Sequence, residues 1–143
     1  MNPLRWLPAL LLSATVALIG GCGGASDDDA ATVRMYHRGI LEAAGYEVEE
    51  AINGLEALEK ILVSPFDLYL VDVNMPKLDG YGFLRELRRQ DIAQVPAIMV
   101  STEASAEDRK RAYAAGANLY LVKPARPEHL VAPVALLLGE TDA

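Results

Sequence analysis

Three apolar runs constrain this chain more than any other feature: "DLYLVDV" at 67–73, "PAIMV" at 96–100 and "LYLV" at 119–122. Each is short and nearly continuous in its hydrophobicity. A strand with one face in water alternates apolar and polar residues. A strand covered on both faces does not, and such strands belong to parallel sheets with helices on either side.

The segments between the runs have helical spacing. Val33, Tyr36, Ile40, Leu41 and Ala44 mark one helical face, closed by Gly45, and "YEVEEA" alternates like a half-buried strand. Asn53-Gly54 reads as a turn, followed by a second helical face at Leu55, Leu58, Ile61 and Leu62 that Ser64-Pro65 stops. The next helix has Phe83, Leu84 and Leu87 inside and Arg85, Arg88 and Arg89 outside. Ser105 and Asp108 form a capping box for a helix ending at Gly116. Pro127 suits the first turn of the last helix, and Pro133 inside it predicts a kink. Alternating strands and helices predict an α/β domain with a parallel sheet.

In open sheets of this kind, ligands sit beyond the carboxyl ends of the strands. The residues there are Asp72, Ser101 and Lys123, and Asp28 and Asp29 stand just before the first helical pattern. Three carboxylates, a hydroxyl and a lysine would therefore converge. Clustered carboxylates resist ionisation unless a cation joins them. A hard divalent ion such as magnesium, which takes oxygen ligands and often a phosphate, is the natural partner. An aspartate can itself be the nucleophile in phosphoryl transfer, leaving charge neutralisation to groups such as Lys123 and Ser101.

The net charge of −7 argues against a nucleic-acid partner, since no basic patch is left to neutralise phosphates. Cys22 is the single cysteine, which excludes an internal disulfide and a cysteine zinc site. His37 and His129 fall in helical patterns and read as surface or half-buried residues rather than metal ligands.

Residues 28 to about 138 resemble the receiver domain of two-component response regulators, especially the single-domain kind typified by the chemotaxis receiver. "VDVNMPKLDG" is similar to the family's phosphorylation motif, "DDAATVR" to its acidic pair and first helix, "IMVSTEAS" to the strand carrying its switch hydroxyl, and "NLYLVKP" to the strand carrying its switch aromatic and lysine. The resemblance implies a flavodoxin-like, doubly wound parallel sheet of strand order 2-1-3-4-5. It implies Asp72 as phosphoacceptor and a magnesium ion held by Asp29, Asp72 and the Asn74 carbonyl, with Asp28 in support. Lys123 and Ser101 would stabilise the phosphoryl group, Ser101 and Tyr120 would form the switch, and Lys123-Pro124 would be a cis peptide. Its partners would be a histidine kinase or phosphotransfer protein as donor and a downstream protein as target. A receiver catalyses its own phosphorylation and dephosphorylation and is not a separate enzyme.

The first 27 residues depart from that pattern. Arg5 is the only charge before Asp27, and an apolar run from Trp6 to Gly20 leads to Gly21-Cys22. A positive start, a short apolar run and small residues before a cleavage point mark a secretory signal, and "LIGGC" is similar to a lipoprotein lipobox with Cys22 as the lipidation candidate. Residues 1–27 thus read as a lipoprotein-like signal segment and Gly-rich linker, and 28–143 as the receiver. The family's first strand, internal between strands 2 and 3, would be missing, or substituted by "TVALIG" at 15–20. Losing four buried apolar side chains costs about 6–12 kcal/mol, comparable with the whole stability of a domain, about 5–15 kcal/mol.

Two functions follow from the two halves. One is a cytoplasmic phosphoacceptor in a histidine–aspartate phosphorelay. The other is a periplasmic, lipid-anchored interaction protein on a degenerate receiver body, meeting a membrane only if Cys22 is lipidated. A phosphatase of the aspartate-nucleophile kind would want a second aspartate two residues after the nucleophile, where Asn74 stands.

Overall fold

The computed structural model of the protein describes residues 14–20, 27–75 and 78–140, with the side chains of residues 27–30 left aside. Five strands and five helices alternate: β1 (Thr15–Ile19), α1 (Asp27–Ala43), β2 (Glu47–Ala51), α2 (Gly54–Val63), β3 (Leu68–Asp72), α3 (Gly80–Arg89), β4 (Ala97–Ser101), α4 (Ala106–Ala115), β5 (Leu119–Val122) and α5 (Pro127–Leu137). The strands form one parallel sheet in the order β2-β1-β3-β4-β5. This is the flavodoxin-like architecture that the resemblance implies.

The strand expected to be missing or substituted is supplied by residues 15–19. Thr15–Ile19 pairs with Glu47–Ala51 on one side, and Val16–Ile19 pairs with Leu68–Val71 on the other. The β-branched residues Thr15, Val16 and Ile19 favour extended backbone. Val16 and Ile19 are 0% and 1% exposed, as deep as any residue of β3. The same apolar run that looks like an export segment therefore meets the demands of a central parallel strand. Cys22 lies outside the described residues.

Alternate side chains of the sheet feed two cores. Ala17, Ile19, Tyr69, Val71, Met99 and Tyr120 pack with residues of α2, α3 and α4 on one face. Val16, Leu18, Leu68, Leu70, Ile98 and Val100 pack with α1 and α5 on the other.

Several helical faces are rotated from their sequence reading. On α1, His37 and Leu41 are buried, whereas Tyr36 and Ala44 are exposed. On α2 the inner face is Gly54, Ala57 and Ile61, and Leu55 and Leu62 are exposed. Small residues win there because the helix lies close to its neighbours: a Cβ on Gly54 would come within 3.2 Å of both Leu78 and Phe83. Asn53 is the N-cap of α2 rather than part of a free turn, its side chain accepting the Glu56 N–H at 2.9 Å. Arg88 is turned inward: its guanidinium donates to the carbonyls of Val95 and Gly116 and ties α3 to the ends of α4 and β4. Ser105 caps α4, accepting the Asp108 N–H at 3.1 Å, and Gly116 closes that helix in the left-handed conformation. α5 runs through Pro133, with Pro127 in its first turn.

Candidate functional site

β3 ends at Asp72 and β5 runs out at Val122, so the sheet delivers Asp72 and Lys123 to the same edge. The Lys123 ammonium donates to both carboxylate oxygens of Asp72, at 2.9 Å each. The pair is largely shielded, with side chains 16% and 11% exposed. The Asn74 N–H donates to Asp72 Oδ1 at 2.9 Å and orients the carboxylate from its own loop.

Two glycines permit this packing. Gly80 follows the N-cap Asp79, and a Cβ there would lie 2.5 Å from the Asp72 carbonyl oxygen. Gly20 directly follows β1 at φ 135°, and a Cβ on it would lie 2.4 Å from the Asp72 Cβ. Only glycine takes that backbone conformation without strain.

Ser101 ends β4, is fully buried, and its hydroxyl accepts the Glu103 N–H at 3.1 Å. Tyr120 is also buried, and its phenol donates to the Glu103 carbonyl at 2.6 Å. The two residues expected to form a switch thus meet at one residue of the β4–α4 loop. Arg109 lies over the Tyr120 ring at 5.1 Å. Lys123-Pro124 is cis, as the resemblance implies.

A small cleft beside Asp72 is lined by Gly20, Val33, Arg34, His37 and Lys123 among others. Arg34 is anchored by Glu50 (Nε to Oε1, 2.5 Å) and donates to the Gly20 carbonyl at 3.3 Å. Arg38 also bonds Glu50. Burial pushes the Glu50 carboxyl up, but the Arg38 and Arg34 hydrogen bonds outweigh it and hold the group below the usual carboxylate range. His37 is 2% exposed, and its Nε2 accepts the Ala125 N–H at 3.2 Å. Burial and the nearby Lys123 charge lower its pKa, with Asp72 opposing them. The surface or half-buried placement read for His37 is therefore corrected, while His129 is exposed as read.

Asp28 and Asp29 lie in the first turn of α1, eight and nine positions beyond Gly20 and not at a strand end; their side chains fall outside the described residues. Among the described residues no group of three or more His, Cys, Asp or Glu is arranged for a metal. Of the donors implied for magnesium, the described residues bring the Asp72 carboxylate to this edge, an oxygen ligand of the type magnesium takes, and Gly20 rather than a second acid adjoins it.

An open parallel sheet with a lysine-paired aspartate at its carboxyl edge defines a receiver-type signalling domain, and comparison with known proteins agrees. Residues 27–135 match the response regulator receiver domain, and the chain belongs to that family of two-component systems. It is 43% identical over 97 residues to the Gliding motility regulatory protein of Myxococcus xanthus, spanning 67% of this chain and 12% of that one. It is similar to the chemotaxis response regulator CheY4 of Vibrio cholerae, with a TM-score of 0.76, 35% identity, and 88% and 99% of the two chains covered. It is also similar to the receiver domain of the Pseudomonas aeruginosa sensor histidine kinase PA1611, solved with a magnesium ion in its active-site cleft, at a TM-score of 0.77, 26% identity, and 90% and 99% coverage.

Arg34, His37, Gly20 and Glu103 were not singled out as site residues from sequence. For His37 the available signal was its spacing of four from Leu41, which puts both on the buried face of α1.

Proposed function

We propose that this protein is a phosphoacceptor in a histidine–aspartate phosphorelay, taking a phosphoryl group on Asp72 from a histidine kinase or phosphotransfer protein. The observation that carries this reading is the Lys123 ammonium at 2.9 Å from both oxygens of a strand-end carboxylate. In the transfer, an Asp72 oxygen forms a bond to phosphorus as the bond to the donor's imidazole nitrogen breaks. Lys123 moves from the carboxylate to the phosphoryl oxygens, whose added charge it neutralises. Magnesium, when bound, would shield the negative charges that otherwise keep donor and acceptor apart. Asp72, the Asn74 carbonyl and Asp29 would hold it, with Asp28 in support. The Ser101 hydroxyl would leave the Glu103 N–H for a phosphoryl oxygen. Because Tyr120 holds the carbonyl of the same Glu103, that movement passes to the β4–α4 loop and to a downstream protein partner.

The burial of β1 supports a cytoplasmic place of action, since cleavage before Cys22 would remove the central strand along with the residues that precede it. No helix among the described residues is long and apolar enough to cross a membrane. The alternative, a lipid-anchored protein with an inactive receiver body, draws support from Gly20 standing beside Asp72 while Asp28 and Asp29 sit eight and nine positions further on. Magnesium titration of the full chain separates the two. Saturable binding lost in Asp29→Ala and Asp72→Ala supports the phosphoacceptor; no binding, together with a lipidated Cys22 in membrane fractions, supports the anchor.

A further inference from the structure

Among the described residues, the tyrosines apart, two polar side chains are buried, Ser101 and His37. The phosphoacceptor reading employs Ser101 and leaves His37 without a task. His37 faces the core from α1, one turn before the aliphatic Leu41, and its Nε2 accepts the Ala125 N–H at 3.2 Å. A leucine or valine would fill the position without the cost of burying an imidazole. What an aliphatic side chain would not do is satisfy that N–H. Ala125 is itself buried, packed in the core formed by Val16, Leu18 and Leu130, and a buried backbone donor without a partner is costly.

Ala125 lies two residues beyond Lys123. The Lys123 backbone N–H is held by the Ser101 carbonyl at 2.7 Å. The segment carrying the lysine is therefore anchored at both ends, by β4 at Lys123 and by α1 at Ala125. Between these anchors the Lys123 side chain reaches 2.9 Å from each oxygen of Asp72. Releasing the Ala125 end would leave the segment held on one side only and widen the range of positions open to the ammonium.

We propose that His37 is a positioning residue, which by accepting the Ala125 N–H sets where Lys123 places its charge against Asp72. The functional part of this inference rests on Asp72 being the phosphoacceptor. The hydrogen bond requires an imidazole unprotonated at Nε2. Among the described residues the charged groups facing it are Lys123 from the segment after β5, Asp72 from β3 and Arg34 from its own helix.

The test compares full-length His37→Phe, His37→Leu and His37→Gln with the unsubstituted chain. Phe and Leu keep apolar volume and lack an acceptor; Gln restores an acceptor oxygen. Three quantities are read: the Ala125 amide proton and Lys123 ε-methylene resonances, the rate of labelling by acetyl phosphate with magnesium, and the melting temperature. The expected result is an upfield shift of the Ala125 amide and a displaced Lys123 resonance in the acceptor-free variants. Labelling should be slower by roughly three- to tenfold, with both properties recovered in His37→Gln. Unchanged Lys123 resonances in a folded acceptor-free variant would overturn the proposal, as would a Gln variant that recovers melting temperature but not labelling. If the unsubstituted chain takes no label, the phosphoacceptor reading fails, and the resonances alone decide whether His37 positions Lys123.

Discussion

A chain beginning at Cys22, the species that lipoprotein processing would leave, should not fold cooperatively. It lacks β1, whose Val16, Leu18 and Ile19 are 0%, 4% and 1% exposed. Burial of one large apolar side chain is worth about 1.5–3 kcal/mol, so the three together contribute about 4.5–9 kcal/mol. The strand is also hydrogen-bonded on both sides, to β2 and β3, and its removal opens the sheet between them. Each such bond is worth about 0.5–1.5 kcal/mol net. These losses match the whole stability of a domain, about 5–15 kcal/mol. The assay is urea unfolding followed by circular dichroism of the full chain and of the chain starting at Cys22. Leu18→Ala serves as a graded intermediate, expected to cost about 2–5 kcal/mol. A Cys22-start chain with the full chain's urea midpoint and cooperativity would show that β1 contributes nothing to the fold, and the case for an unprocessed receiver would go with it.

Gly20→Ala should lower the melting temperature and slow labelling of Asp72, since its Cβ would lie 2.4 Å from the Asp72 Cβ at a φ of 135°; overpacking of this kind costs about 1–3 kcal/mol, and an unchanged melting temperature would sink the argument. Lys123→Ala should leave magnesium binding nearly intact but abolish the phosphorylation-dependent shift of the Tyr120 and Glu103 resonances, because a lysine ammonium is a point charge aimed at anionic oxygens rather than at a metal; loss of metal binding as severe as in Asp29→Ala would contradict this. Stability should fall in two acid steps. The His37 pKa is lowered in the fold, so its contribution is complete above the ordinary value of 6.5 and is lost as pH falls from there toward the folded value. The Glu50 contribution is complete above 4.5 and is lost below it in the same sense. Unfolding measured against pH should show the upper step vanish in His37→Gln and the lower one diminish in Glu50→Gln; an upper step that survives in His37→Gln would refute its assignment.

The candidate site is legible in sequence wherever a polar residue interrupts an apolar strand at its carboxyl end. Asp72, Ser101 and Lys123 stand out for that reason, and the sheet brings the first and last into contact. β1 was harder to read, because "TVALIG" is short, apolar and followed by glycines, as both an export segment and a buried parallel strand are, and periodicity does not separate them. On α2 hydrophobicity points to Leu55 and Leu62 beside Leu58 and Ile61, whereas close approach to Phe83 and Leu78 turns Gly54 inward and leaves Leu55 and Leu62 outside. Polarity alone puts His37 and Arg88 outside or half-outside. Each is turned inward by backbone groups at sequence-distant positions, Ala125 for one and Val95 and Gly116 for the other. Such partners are set by the tertiary fold and leave no trace in local patterning.

Whether Asp72 accepts a phosphoryl group is decided by intact-mass measurement of the full chain after incubation with acetyl phosphate and magnesium. One added phosphoryl group is expected, stable in acid and released by base, located at Asp72 by peptide mapping and absent from Asp72→Asn. An unlabelled wild-type chain, or label that persists in Asp72→Asn, would contradict it.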